Sequence, residues 1–172
     1  MIQYGSYILK VVPNLNDQLA ELSLLDREKL NIQSFKEETE YHQWTTLFYI
    51  YRGESLVGFI SCYCDLLNRT GDINKIWIRP EYRGSLAAAH SSLLGLYYLF
   101  ELRGMQKVES VVFGFNEESY RLQKKFFNLE GECKSSCLFR GERYSRYYFG
   151  ITRAELYSRS EFKKRLSKIV VT

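Results

Sequence analysis

The run from Ile73 to Gly104 constrains this chain more than any other part of it. Ile73-Asn74-Lys75-Ile76-Trp77-Ile78 is rich in β-branched and aromatic residues, the composition of a strand. Arg79-Pro80-Glu81-Tyr82 punctuates it, and Arg83-Gly84-Ser85-Leu86-Ala87-Ala88-Ala89 opens a long helix, from about Gly84 to Arg103, that Gly104 stops. A strand handed to a helix through so short a turn implies a layered α/β domain, since each element must bury one side against another layer. The first amides of such a helix have no partners within it and stand at the positive end of its dipole, so the junction can receive a phosphate.

The rest of the chain reads around this junction. Ser6 to Val12 alternates as a strand, and Asn14 caps a helix with Leu15, Leu19, Leu22 and Leu25 on one face. Ser34 caps a second helix running toward Trp44. Leu47 to Tyr51 and Ser55 to Cys64 form a hairpin about Arg52-Gly53-Glu54, and Asp65 to Gly71 is a polar loop. Past Gly104 come a strand at Val108 to Phe113 and a helix from Asn116 to Phe127. Two strands follow, Gly131 to Leu138 and Arg143 to Thr152, and then a helix from Ser160 to Ile169. No repeat or linker divides the 172 residues, so residues 1–172 are read as one domain.

Composition narrows the class. With 45% hydrophobic and 26% charged residues, and no apolar run near the roughly 20 residues of a membrane span, the chain is expected to be cytosolic and not membrane-bound. Cys62, Cys64, Cys133 and Cys137 lack the loop-borne spacing of structural zinc and are read as reduced core or near-core thiols, with no metal. The net charge of +4 is concentrated after Cys133. Lys134, Arg140, Arg143, Arg146, Arg153, Arg159, Lys163, Lys164, Arg165 and Lys168 there face Glu142, Glu155 and Glu161. Such a bias suits an anionic ligand. No aromatic-basic interleaving marks an RNA-binding surface, though the basic bias leaves tRNA open.

The wording Ile78-Arg79-Pro80-Glu81-Tyr82-Arg83-Gly84 and the helix after it resemble the pyrophosphate-binding motif of the GNAT N-acyltransferases, R-x-x-G-x-G/A. Arg83 and Ala88 fit that pattern, and Leu86 stands where it has its central glycine. Asn116-Glu117-Glu118-Ser119-Tyr120-Arg121-Leu122-Gln123-Lys124-Lys125, followed by Glu130-Gly131, resembles the second motif of the family. The ending Gly150-Ile151-Thr152-Arg153-Ala154-Glu155-Leu156 is similar to that of the branch with ribosomal-protein N-terminal and amino-sugar N-acetyltransferases. The resemblance implies an α/β fold: a mixed, mostly antiparallel twisted sheet flanked by helices and splayed between two central parallel strands.

It also implies acetyl-CoA as co-substrate. The pantetheine arm would bond the backbone of Ile76, Trp77 and Ile78. The pyrophosphate would rest on Arg83, Gly84, Ser85, Leu86, Ala87, Ala88 and Ala89, with Asn116, Ser119 and Lys125 as further contacts. Acyl transfer to an amine needs a base for the amine and a donor for the leaving thiolate. Asp72, which shares a face with residues 74, 76 and 78 by the period-two rule, is the candidate base, and Ser119 the candidate donor. Gln123 stands where many relatives carry a tyrosine acid, and a glutamine cannot serve as an acid. His42 is a second candidate base, while His90 reads as a packed or exposed helix residue.

The acceptor implied is a primary amine on a small metabolite, with a nucleotide-linked amino sugar first because Arg146 places a cation near the expected acceptor pocket. A protein N-terminus or an aminoacyl-tRNA remains open as acceptor, an acyl carrier protein as donor, and a binding module or a homodimer as further readings.

Overall fold

The computed structural model describes residues 1–12 and 44–172. The helices expected after Asn14 and Ser34, and His42, lie outside the described residues.

Strand-forming sequence gives β1 (Ile2–Tyr4), β2 (Tyr7–Val11), β3 (Thr45–Arg52), β4 (Ser55–Asp65) and β5 (Thr70–Ile78). Helix α1 (Ala87–Tyr97) follows and runs on through a π-turn at Tyr98–Leu102. Then come β6 (Lys107–Phe113), α2 (Glu117–Phe126), β7 (Asn128–Phe139) and β8 (Glu142–Thr152). The chain closes with α3 (Arg153–Ser158), α4 (Ser160–Leu166) and β9 (Val170–Val171). The described strands form one sheet of nine, in the order β7-β8-β6-β5-β4-β3-β2-β1-β9. Among them, β5 with β6 is the parallel pair and the other pairs are antiparallel. The mixed, mostly antiparallel sheet with flanking helices is the architecture that the sequence implies.

Both long helices pack on one face. Gly71 and Val108 are register partners, so their side-chain positions point the same way. A Cβ on Gly71 would lie 2.9 Å from Leu99, just past α1, while Ser110, two residues after Val108, bonds Gln123 of α2. Helix α1 is apolar enough to sink into this core, with Leu93, Leu94 and Leu96 buried. Its buried hydroxyls are satisfied, Ser91 donating to the Ala87 carbonyl at 2.8 Å and Ser92 to that of Ala88 at 2.9 Å. Close approach requires Gly95, where a Cβ would come within 2.8 Å of Ile60. A second cluster of Val12, Leu47, Tyr49 and Phe59, with Trp77 against it, occupies the other face.

Several elements depart from the sequence reading. Helix α1 begins at Ala87, because residues 83–86 form the turn instead of the helix start. The basic tail is two short helices joined at Arg159, the first closed by a capping box in which Thr152 and Glu155 bond each other's backbone. Cys62 and Cys64 are buried as expected, but Cys133 is exposed and Cys137 half-buried on the edge strand. His90 packs edge-on between Tyr4 and Tyr7.

Candidate active site

Strands β5 and β6 pair over three residues and then part. Thr70, Gly71 and Asp72 match Lys107, Val108 and Glu109, and no pairing follows between residues 73–78 and 110–113. Beyond Asp72, the edge of β5 that faces β6 is open, while its other edge stays paired to β4 through Ile76, Trp77 and Ile78. In a parallel pair both strands end at the same side of the sheet, so α1 and α2 start on either side of this gap. Two helix N-termini and a free strand edge thus converge on one cleft, the arrangement in which open α/β sheets place their ligands.

The first N-terminus is built by the turn. Gly84 adopts φ +75°, a left-handed conformation, and a Cβ there would meet nothing within 4 Å. It is glycine for its backbone angle, not for space. Arg83 braces the turn by donating from Nε to the Ile78 carbonyl at 3.1 Å, and Ser85 Oγ donates to Tyr82 O at 2.6 Å while accepting from the Ala87 amide. The amides of Gly84, Leu86, Ala88 and Ala89 donate to no acceptor among the described residues. Leu86 has φ −75° and ψ 0°, ordinary right-handed backbone, and its side chain is 62% exposed. It neither packs on the core nor needs the freedom of glycine, because Gly84 already supplies the left-handed residue.

The second N-terminus is capped by Asn116, whose side-chain oxygen accepts from the Ser119 amide at 3.1 Å. The Ser119 hydroxyl makes no hydrogen bond among the described residues. Lys125 is exposed in the last turn of α2, nine residues and about 13 Å along the axis from Asn116 and about 200° round the helix from Gln123. Arg121 is paired with Glu117 at 2.6 Å, and Lys124 lies over the Tyr120 ring.

Asp72 occupies the last paired position, at the apex of the splay. The period-two rule misassigns its face. Cys62 opposes Ile73 and Ser61 opposes Lys75, so Asn74 is an extra residue, a β-bulge. The face of Ile73 therefore continues through Ile76 and Ile78, whereas Asp72 shares its face with Lys75 and Trp77. The correction puts Asp72 on the side of the sheet opposite α1 and α2. Burial first, then the charges of Cys64 and Asp72, pushes the Cys62 thiol well up, so this buried cysteine stays neutral.

Sequence reasoning missed an aromatic ladder between the end of β6 and the β7–β8 hairpin. Phe113 stacks on Phe115, Phe115 stacks on Phe139 at 4.1 Å, and Tyr144 meets Phe115 edge-on. The Arg140 guanidinium lies 5.2 Å from the Phe139 ring and that of Arg146 lies 5.3 Å from Phe113. An open cavity of about 420 Å³ is lined by Gly114, Phe115, Glu117, Phe139, Arg140, Glu142 and Tyr144. The Tyr144 hydroxyl donates to Glu142 at 2.6 Å, and this bond, ahead of burial, raises the phenol and keeps it protonated. The signal in the sequence was Phe113-Gly114-Phe115, but its partner Phe139 comes from a hairpin far along the chain.

The acetyltransferase (GNAT) family model matches residues 16–128. The chain belongs to the GNAT acetyltransferase family. An SPbeta prophage-derived uncharacterised N-acetyltransferase of Bacillus subtilis (strain 168), YokL, is 34% identical over 103 residues. That match spans 59% of this chain and 58% of YokL, somewhat more than half of each. Among solved structures, a chimera of the spermidine N-acetyltransferase SpeG from Vibrio cholerae with hSSAT superposes with a TM-score of 0.72 at 16% identity, covering 94% of this chain and all of that one. A dodecameric spermidine N-acetyltransferase from Vibrio cholerae gives a TM-score of 0.71 at 16% identity, covering 90% and 98%. At such identity the likeness is one of fold. The GNAT fold accounts for the splayed parallel pair and for the two helix N-termini beside it.

Proposed function

We propose that this GNAT protein is an N-acetyltransferase that moves an acetyl group from acetyl-CoA to a primary amine of a small metabolite. The observation that carries the reading is the splay of β5 from β6 between the N-termini of α1 and α2. The residues present fit the co-substrate. Free amides at Gly84, Leu86, Ala88 and Ala89 suit its pyrophosphate, and the unpaired β5 edge at Ile76 and Trp77 suits its amide-bearing arm, while the Ile78 carbonyl already accepts from Arg83. Leu86 is no obstacle to this, since its amide faces the same duty whatever its side chain. Acetyl-CoA supplies an acyl group activated as a thioester.

The chain's own residues supply position and proton transfer. Asp72, at the apex, takes the amine proton directly or through one water. The Ser119 hydroxyl, on the first turn of α2, hydrogen-bonds the leaving sulfur. For the acceptor, a nucleotide-linked amino sugar remains first. Arg140 and Arg146 on the Phe113–Phe115–Phe139 ladder offer cations beside stacking rings, which suits an anionic ligand with a planar base.

Thermal shift with CoA and acetyl-CoA tests the donor, because a ligand at a hundred times its dissociation constant stabilises by about 2.7 kcal/mol. Absence of any shift refutes it. A mass-spectrometric screen of amino sugars, nucleotide-linked amino sugars, polyamines and peptide N-termini then names the acceptor. With that acceptor, Asp72→Asn should lower kcat without altering acetyl-CoA affinity, and Ser119→Ala should do so less severely. Wild-type turnover in both variants would remove them from the mechanism.

A further inference from the structure

Gln123 is 6% exposed, within the interface between α2 and the sheet. Its Nε2 donates to Ser110 Oγ at 3.0 Å, and Ser110, itself 2% exposed, reaches the Ile73 carbonyl at 3.5 Å. The other end of the carboxamide, Oε1, has no hydrogen-bond donor among the described residues. A buried acceptor without a donor destabilises the fold, and a leucine of similar size would avoid that cost.

The place of this group points to its partner. Ser110 follows Glu109, the last residue of β6 that pairs with β5, and Ile73 is the first residue of β5 beyond the pairing. The Ser110 bond therefore fixes the carboxamide at the apex of the splay. Along α2, Asn116, Ser119 and Gln123 recur at helical spacing, so one face of the helix runs from its N-terminus beside the gap to the level of Ser110 at the apex.

An amide oxygen can only accept. Its partner must carry an N–H or O–H: a thioester and an acetyl group lack one, the acceptor amine meets Asp72 on the side of the sheet opposite α2, and the secondary amides of a pantetheine arm have one. We propose that Gln123 Oε1 accepts the amide N–H of a pantetheine arm and is a positioning and specificity residue for the acyl donor. The inference rests on the acyltransferase reading above. The pantetheine arm is common to CoA thioesters and to acyl carrier proteins, and the probes must separate the two.

The test measures the affinities of acetyl-CoA, S-acetylpantetheine and adenosine 3′,5′-bisphosphate for the wild type, Gln123→Leu and Gln123→Met, together with their melting temperatures. The expected result is a loss of about tenfold for the two arm-bearing ligands, no change for the bisphosphate, and variants at least as stable as the wild type. Equal affinity of the wild type and both variants for acetyl-CoA overturns the proposal and leaves the acyltransferase reading intact. So does a loss shared by all three ligands, or a fall in melting temperature with affinities kept, since both describe a structural glutamine. A wild type that binds no arm-bearing ligand overturns both readings. Wild-type binding of S-acetylpantetheine without the bisphosphate assigns the arm to a carrier protein, and binding of both assigns it to CoA.

Discussion

Replacing Gly84 with alanine separates the two things this glycine does. Its φ of +75° is one that side-chain-bearing residues avoid, and the added Cβ would meet nothing within 4 Å. The cost is therefore purely conformational, about 1–2 kcal/mol for a left-handed residue. For a domain of this size that lowers the melting temperature by about 2–4 °C per kcal/mol. Gly5 provides a matched control, with φ +58° and equally open space, in the β1–β2 hairpin three strands away from β5. Gly5→Ala and Gly84→Ala should lose similar stability by calorimetry. Only Gly84→Ala should weaken CoA, because relieving the strain swings the amides of residues 84 and 86 off the phosphate. A hydrogen bond to a charged group contributes about 1.5–3 kcal/mol, so losing one weakens binding tenfold or more. If Gly84→Ala binds CoA as tightly as the wild type by titration calorimetry, or if Gly5→Ala weakens it equally, the turn is not the phosphate site.

Two further perturbations probe the same frame. Leu86→Gly releases no strain, since Leu86 already sits at φ −75°. At the N-cap of α1 glycine is tolerated at least as well as leucine, so stability and CoA affinity should both change little, and tighter binding would mean that the leucine side chain obstructs the ligand. Burial, and then the charge of Arg165, lowers the pKa of His90 below its ordinary value near 6.5. The folded state thus binds the proton less well than the unfolded state. Stability should be full above about pH 6.5 and fall as the pH drops through the lowered folded pKa. His90→Phe, packed between the same tyrosines, should flatten that part of the curve of melting temperature against pH. An unchanged acid slope would assign it to other groups.

Local chemistry is what made the centre of the fold legible. The β5–α1 junction, the Asn116 cap and the hairpin glycines each depend on residues close together in sequence, and they fold as their composition implies. The misreadings share a different cause. The Asn74 bulge is set by how β4 pairs with β5 at Ser61 and Cys62, so no property of residues 72–78 alone announces it, and the period-two rule carried Asp72 to the wrong face. Leu86 looked like a defect because a motif counts residue types, whereas the backbone asks only for one left-handed residue, which Gly84 provides two positions earlier. The aromatic ladder joins Phe115 to Phe139 across 24 positions and exists only once β8 lies beside β6. Gln123 is the instructive case between these extremes. Its polar side chain in an otherwise amphipathic helix was visible from the sequence, but its meaning came from Ser110 and from the point at which two strands separate. A buried amide with one end tied and the other without a donor is what the proposed contact with a pantetheine arm accounts for.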